Sequence, residues 1–213
     1  MKKILYSVAL AACCMGTMTS CSDFLDASNK SNVTAKQSFA TKEGLNNLVN
    51  NAYQHLQNVY AAPLFTSCFS AGTDMYADAR NKMNEALNTY ETLTPENTDI
   101  KNLYTYLYSG IRAANSVSYY AQTAQVDEKT KGQLVGEARV LAAYEYYLLV
   151  NNFGGVPIMK DFLTTADTGY PKSSAADVYA YIISELEDVI GKNVLLASTA
   201  TKGGGRISQE TAK

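Results

Sequence analysis

The chain has 213 residues, a formal net charge of −2, one histidine, four cysteines, no tryptophan, and 16 tyrosines against six phenylalanines. That mildly acidic balance leaves no electrostatic footprint for nucleic acid or anionic lipid, and the length fits one domain or a large part of one. With no CxxC pair and no Cys/His cluster, the usual zinc sites are excluded and no cofactor is expected.

Residues 1–20 read as a secretory leader. Lys2 and Lys3 precede an apolar run, Ile4 to Met15, that is shorter than the roughly 18 residues of a spanning helix. The leader ends in "MTSC", a loose lipoprotein box that makes Cys21 the first mature residue and the lipid acceptor. Several acyl chains on that one cysteine are what give stable attachment. Losing Lys2 and Lys3 takes the formal charge from −2 to −4. Cys13 and Cys14 leave with the leader, so Cys68 has no partner for an intrachain disulfide and reads as a small buried apolar group. Residues 21–35 are a polar tether, and its Asp23 and Asp26 favour display on the cell exterior.

A helical domain is expected over 36–213. From Thr41, an N-cap, the positions Leu45, Leu48, Val49, Ala52, Leu56, Val59 and Tyr60 keep a helical period, and Pro63 follows the end. Residues 64–98 are polar, with one short helix and a loop around Pro95. Periodicity returns at Ile100, Leu103, Leu107, Ile111, Ala114 and Val117, where Ala113 and Ala114 admit a close neighbour. After a polar connection at 125–131 comes "GQLVGEARVLAAYEYYLLVNNF", apolar around much of its circumference and therefore central. "FGGVPI" stops it, with Gly154 or Gly155 as C-cap. A last helix starts near Ser174, with Asp177 three residues on, and buries Val178, Ile182, Leu186 and Val189. "KGGGR" reads as a flexible turn and "ISQETAK" as the start of a further helix. The fold class is all-α, built from helical hairpins. Residues 99–124 and 132–153 form one tetratricopeptide-like hairpin, degenerate because the strict repeat signature is missing.

The chemistry-bearing residues give little sign of catalysis. His55 sits at the edge of an apolar stripe with no nucleophile or second ligand at useful spacing. Glu185, Glu187 and Asp188 are expected on a solvated helix face, and Asp127 and Glu128 in a connection. "KGGGRIS" lacks the Lys-Ser/Thr ending of a phosphate loop. "TDMYADAR" places Asp74, Tyr76 and Asp78 in one loop-like stretch, the best local candidate for a ligand-contacting surface. Sugars suit tyrosine, an apolar ring with a polar tip. Tyr76, Tyr90 and Tyr170 lie in or near loops and are free for that role. Tyr104, Tyr106 and Tyr108 point in different directions along a helix, and Tyr144, Tyr146 and Tyr147 are expected to crowd the buried helix.

The landmarks "CSDFLD", "VTAKQSFATKEGLNNLVNNAYQHL", "LYTYLYSGIRAANSVSYY", "GEARVLAAYEYYLLVNNFGGVPI", "SAADVYAYIISELEDVI" and "GGGRIS" follow one another in a known order. In this order they resemble the amino-terminal part of the SusD/RagB family of outer-membrane lipoproteins. Glu137, Ala138, Arg139, Phe153, Gly154, Val156 and Pro157 form the most specific block. Family members continue well past the Gly205–Arg206 landmark, so the helical domain is expected to be incomplete at its C-terminus, making the chain a fragment. The resemblance implies an outer-membrane, lipid-anchored binding protein that passes oligosaccharides or peptides to a SusC-like TonB-dependent transporter. It implies no catalysis and no metal. Two alternatives stand beside it: a helical scaffold that only docks proteins, and a tethered glycoside hydrolase that would need a convergent carboxylate pair.

Overall fold

Side chains at the helix starts close the first turns of this all-helical chain. The computed structural model describes residues 34–213 except 62, 77–84, 166–168 and 202–204. After one turn, α1 (Ala35–Ser38), the Thr41 hydroxyl accepts the Gly44 N–H at 3.1 Å and opens α2 (Lys42–Tyr60). A π-helical turn (Thr66–Ser70) and the short α3 (Glu85–Thr89) lead to α4 (Thr98–Ala121), capped by Asn97. Asp127 accepts from the Thr130 N–H to start α5 (Glu128–Phe153). Ser174 and Asp177 form a reciprocal capping box on α6 (Ala175–Lys192). Each such cap is worth about 1 kcal/mol and fixes where its helix begins.

The long helices pack in sequence, α2 on α4, α4 on α5 and α5 on α6, with α2 also touching α5. α5 is therefore covered by three neighbours, which is why its apolar residues run round most of its circumference. One part of the core joins Leu45, Val49, Ala114, Val117 and Ala138; the next joins Val59, Leu107, Ile111, Tyr146, Leu149 and Val178. α5 ends at Gly154, whose φ of 69° and ψ of −135° are a combination that suits glycine. A Cβ at Gly155 would collide with the Ser173 carbonyl, so the chain turns here on two glycines for two reasons.

Two carboxylates are buried on α5, and they are treated oppositely. Glu137 accepts from the Tyr53 hydroxyl (3.2 Å) and Gln133 (3.1 Å), and pairs with the Arg206 guanidinium at 2.9 Å. Arg206 also donates to Asn46 and Asn50, and the Ile207 N–H donates to Tyr53, so the closing segment is pinned to α2 and α5. The expected flexible turn thus ends in a buried anchor. After it, Ser208 caps a single turn rather than a longer helix within the described residues, and Ala212 is buried. Glu145 has no such partner. It is 0% exposed, neither carboxylate oxygen has a hydrogen bond, and it packs on Gly110 of α4, where a Cβ would collide with it. Burial pushes its carboxyl well above the usual range, so it is neutral in the folded protein.

Three expectations need correction. Asp127 and Glu128 are the cap and first residue of α5, because an aspartate there satisfies an otherwise orphaned N–H. Glu185 and Asp188 are not simply solvated: Arg139 of α5 holds both, with Glu185 at 2.6 Å, and Lys192 joins Asp188 at 2.6 Å. Glu187 is exposed as expected. Tyr146 is fully buried, but Tyr144 and Tyr147 are 39% and 47% exposed, on a strip of α5 that the described helices leave uncovered.

Replacing Glu145 by methionine is expected to stabilise the fold by about 1–3 kcal/mol at neutral pH, since it removes an unpartnered buried polar group without leaving a cavity. The folded-state pKa of Glu145 lies above the unfolded one, so its contribution is fully present below the ordinary carboxylate range and is lost as pH rises through the folded value. Urea titrations across that window should show this decline in the parent chain and not in the variant. Equal stability and equal pH profiles for the two would show that Glu145 is not a neutral buried acid.

Candidate functional site

Beyond Gly155 the chain runs back along α4 as an irregular strap, and side-chain hydrogen bonds hold it there. The buried Tyr146 ring sends its hydroxyl out to accept from the Met159 N–H at 2.7 Å, with the Met159 carbonyl 3.3 Å away. Asn115 of α4 donates to the same carbonyl at 2.8 Å, and the Tyr108 hydroxyl donates to the Pro157 carbonyl at 2.7 Å. Backbone groups that no helix could satisfy are paired in this way.

Three adjoining clefts open between the strap and the helices, and Arg112 lines all three. The first, of about 470 Å³, is walled by Tyr104, Thr105, Tyr108, Ser109, Pro157, Met159 and Tyr170. Tyr104, Tyr108 and Arg112 are four residues apart on α4, which places them on one face, so Tyr104 and Tyr108 do not diverge as the sequence reading expects. The Tyr104 and Tyr108 ring centroids lie 4.8 Å apart, and Phe153 meets Tyr104 edge-on at 5.1 Å. The second cleft, about 300 Å³, adds Asn115, Asp161, Thr164 and Thr165. The third, about 350 Å³, reaches towards Phe39, Asn51, His55 and Phe162. The Arg112 guanidinium stands over the Phe162 ring, 5.4 Å from its centroid.

The protonation states suit recognition. Burial pushes the Tyr108 hydroxyl up, reinforced by Tyr104, so it stays a donor. Burial lowers the pKa of His55, whose Nδ1 has no hydrogen-bond partner, and keeps the ring neutral. Among the described residues, Asp161 is the single acid in the walls of these three clefts. The Cys68 thiol is pushed up to about 11 by burial and the nearby Asp99, which makes it a poor nucleophile.

Of the residues singled out by sequence, Tyr170 reaches the first cleft. Asp74 is exposed and Tyr76 half-buried after the π-helical turn, and neither lines the three clefts around Arg112. Asp78 and the lipid acceptor Cys21 lie outside the described residues. Tyr90 adopts a φ of 63° and donates to the Gly72 carbonyl at 3.4 Å, tying its own loop to the one holding Asp74. Arg112, Ser109 and Asn115 were missed. Within the landmark "LYTYLYSGIRAANSVSYY", Arg112 continues the stripe begun by Tyr104 and Tyr108, and that spacing is the available signal. Among the described residues, no helix is long and apolar enough to cross a membrane, and no group of three His, Cys, Asp or Glu side chains is placed to hold a metal.

Comparison with known proteins places this architecture. SusD-like protein P38 of Formosa agariphila is 28% identical over 190 residues, covering 87% of this chain and 36% of its own length. Surface glycan-binding protein A from Bacteroides uniformis superposes with a TM-score of 0.67 at 27% identity, covering 80% of this chain and 39% of that one. A laminarin-binding SusD-like protein shares the fold with a TM-score of 0.67 at 22% identity, over 79% of this chain and 37% of that one. The chain thus spans between a third and two fifths of the length of these relatives. A family model for SusD-like proteins, described as starch-binding and associating with the outer membrane, matches residues 23–201. The helical hairpins, the Glu137–Arg206 anchor and the strap after Gly155 are accordingly those of a protein that belongs to the SusD-like family.

Proposed function

We propose that this chain forms part of a glycan-binding lipoprotein of the outer membrane, and that the clefts around Arg112 contact the sugar. The observation that carries this reading is the first cleft. Its tyrosine rings, Tyr104, Tyr108 and Tyr170, stand beside the hydroxyls of Thr105 and Ser109 and the Arg112 guanidinium. A pyranose offers an apolar face and a rim of hydroxyls, and this wall matches both. The family description as starch-binding and the glycan-binding relative from Bacteroides uniformis support the same reading. Binding without turnover fits the described walls, because two carboxyl groups are needed to cleave a glycosidic bond and the described residues of the clefts offer Asp161 alone.

Attachment and partnership complete the proposal. Cys21 carries the lipid, and a SusC-like TonB-dependent transporter receives the ligand. A separate aromatic face suits a protein partner: Tyr60 stacks near Phe65 and Phe69, bonds Tyr144 through its hydroxyl, and Tyr144 stacks with Tyr147. Tyr60, Phe65, Tyr144 and Tyr147 are all exposed, and such rings anchor interfaces well.

Calorimetric titration of the full chain with laminarin and starch oligosaccharides tests the site. Tyr170→Ala should weaken binding about tenfold, the loss of one stacked ring, with an unchanged thermal midpoint. Unaltered affinity would remove Tyr170 from the site, and no heat with any glycan would end the glycan reading. For attachment, labelled fatty acid should enter the parent protein in cells and not Cys21→Ala, and crosslinking on intact cells should recover a barrel transporter with the parent. Equal labelling of both chains would rule out Cys21 as the acceptor, and crosslinks to no transporter would rule out the partner.

A further inference from the structure

We propose that Arg112 selects glycans carrying an anionic oxygen group, a carboxylate or a sulfate, over neutral ones; this rests on the glycan-binding reading above. Three arginines lie within the described residues, and two have carboxylates. Arg139 holds Glu185 and Asp188, and Arg206 holds Glu137. Arg112 has no carboxylate within ion-pair distance among the described residues, and it is exposed where three clefts meet. Its guanidinium lies over Phe162, and Phe162 is itself held against Tyr119 at 5.4 Å and Tyr120 at 5.9 Å. Contact with that ring leaves the N–H edge of the guanidinium for a ligand. No hydrogen bond to a protein acceptor uses that edge among the described residues.

A planar fork of donors fits a carboxylate or sulfate in two parallel hydrogen bonds, which are stronger and more directional than bonds to neutral hydroxyls. The cleft walls next to Arg112 supply what the rest of such a ligand needs. Tyr104, Tyr108 and Tyr170 offer rings to the sugar on one side, and Asn115, Thr164 and Thr165 line the other. Asp161 is the opposing charge. Its exposed carboxylate lines the second cleft beyond ion-pair reach of Arg112, so it repels an anion without neutralising the arginine. The net charge of −2 also means that a polyanion would not be drawn to this chain indiscriminately.

The test uses laminarin oligosaccharides of one length in three forms: unmodified, oxidised at C6 to the carboxylate, and sulfated. Calorimetry on the full chain reads the ratio of anionic to neutral affinity. The expected ratio is about tenfold or more for one anionic form, falling as salt is raised, and the preferred form identifies the group. Arg112→Gln should bring that ratio to about one, Arg112→Lys should keep part of it, and Asp161→Asn should raise it. Circular dichroism of each variant confirms that the fold is retained. A ratio near one in the parent chain, with neutral binding still dependent on Tyr170, would overturn the selectivity and leave the glycan reading intact. A preference that survives Arg112→Gln would assign it to another group and also overturn the proposal. No binding of any form would overturn both.

Discussion

The Tyr146 hydroxyl joins the buried core to the irregular strap that shapes the clefts around Arg112. Its ring is fully enclosed on α5, and its oxygen accepts from the Met159 N–H. α5 can bury so large a residue because α2, α4 and α6 cover it from three sides. The strap is then fixed at Met159 from α5 and, through Asn115 and Tyr108, from α4. A segment held at these points runs in a set register, which brings Met159, Asp161 and Phe162 to their places around Arg112. Binding side chains on a supported wall lose less freedom when a ligand arrives, and this is how a surface cleft gains affinity without depth.

Charge is distributed on the same logic. Glu137 is buried with Arg206, and removing either partner would leave the other uncompensated, so the Gly205–Arg206 stretch is part of the fold rather than a mobile link. Arg139 joins α5 to α6 through Glu185 and Asp188. Glu145 stays neutral against Gly110, a pairing in which the glycine makes room and the carboxyl gives up its charge. With the other arginines of the described residues committed to holding elements together, Arg112 is the one left facing an open cleft.

Much of the fold was legible in the sequence. Thr41, the Ser174–Asp177 box and the glycines after Phe153 act as the sequence predicts, because capping and positive φ are local matters. The apolar circumference of α5 announced its central place. What could not be read were relations between elements. Nothing within α6 says that Glu185 faces Arg139, and nothing near Arg206 says that Glu137 waits for it across the fold. Tyr144 and Tyr147 share a helix with Tyr146, and only the packing of neighbours decides which of the three is enclosed. The site failed to appear for the same reason. Arg112 acquires meaning from Phe162 and Tyr170, residues separated from it by a whole helix and brought back by the strap.

Isotope-edited NMR reports directly where a sugar touches this surface. The full chain, labelled and assigned, would be titrated with a laminarin oligosaccharide while amide and side-chain shifts are followed. The expected result is a continuous set of perturbations running from Tyr104 and Tyr108 through Arg112 to Met159, Phe162 and Tyr170. Perturbations gathered instead around Asp74 and Tyr76, or on the exposed rings of Tyr144 and Tyr147, with the Arg112 clefts silent, would contradict it.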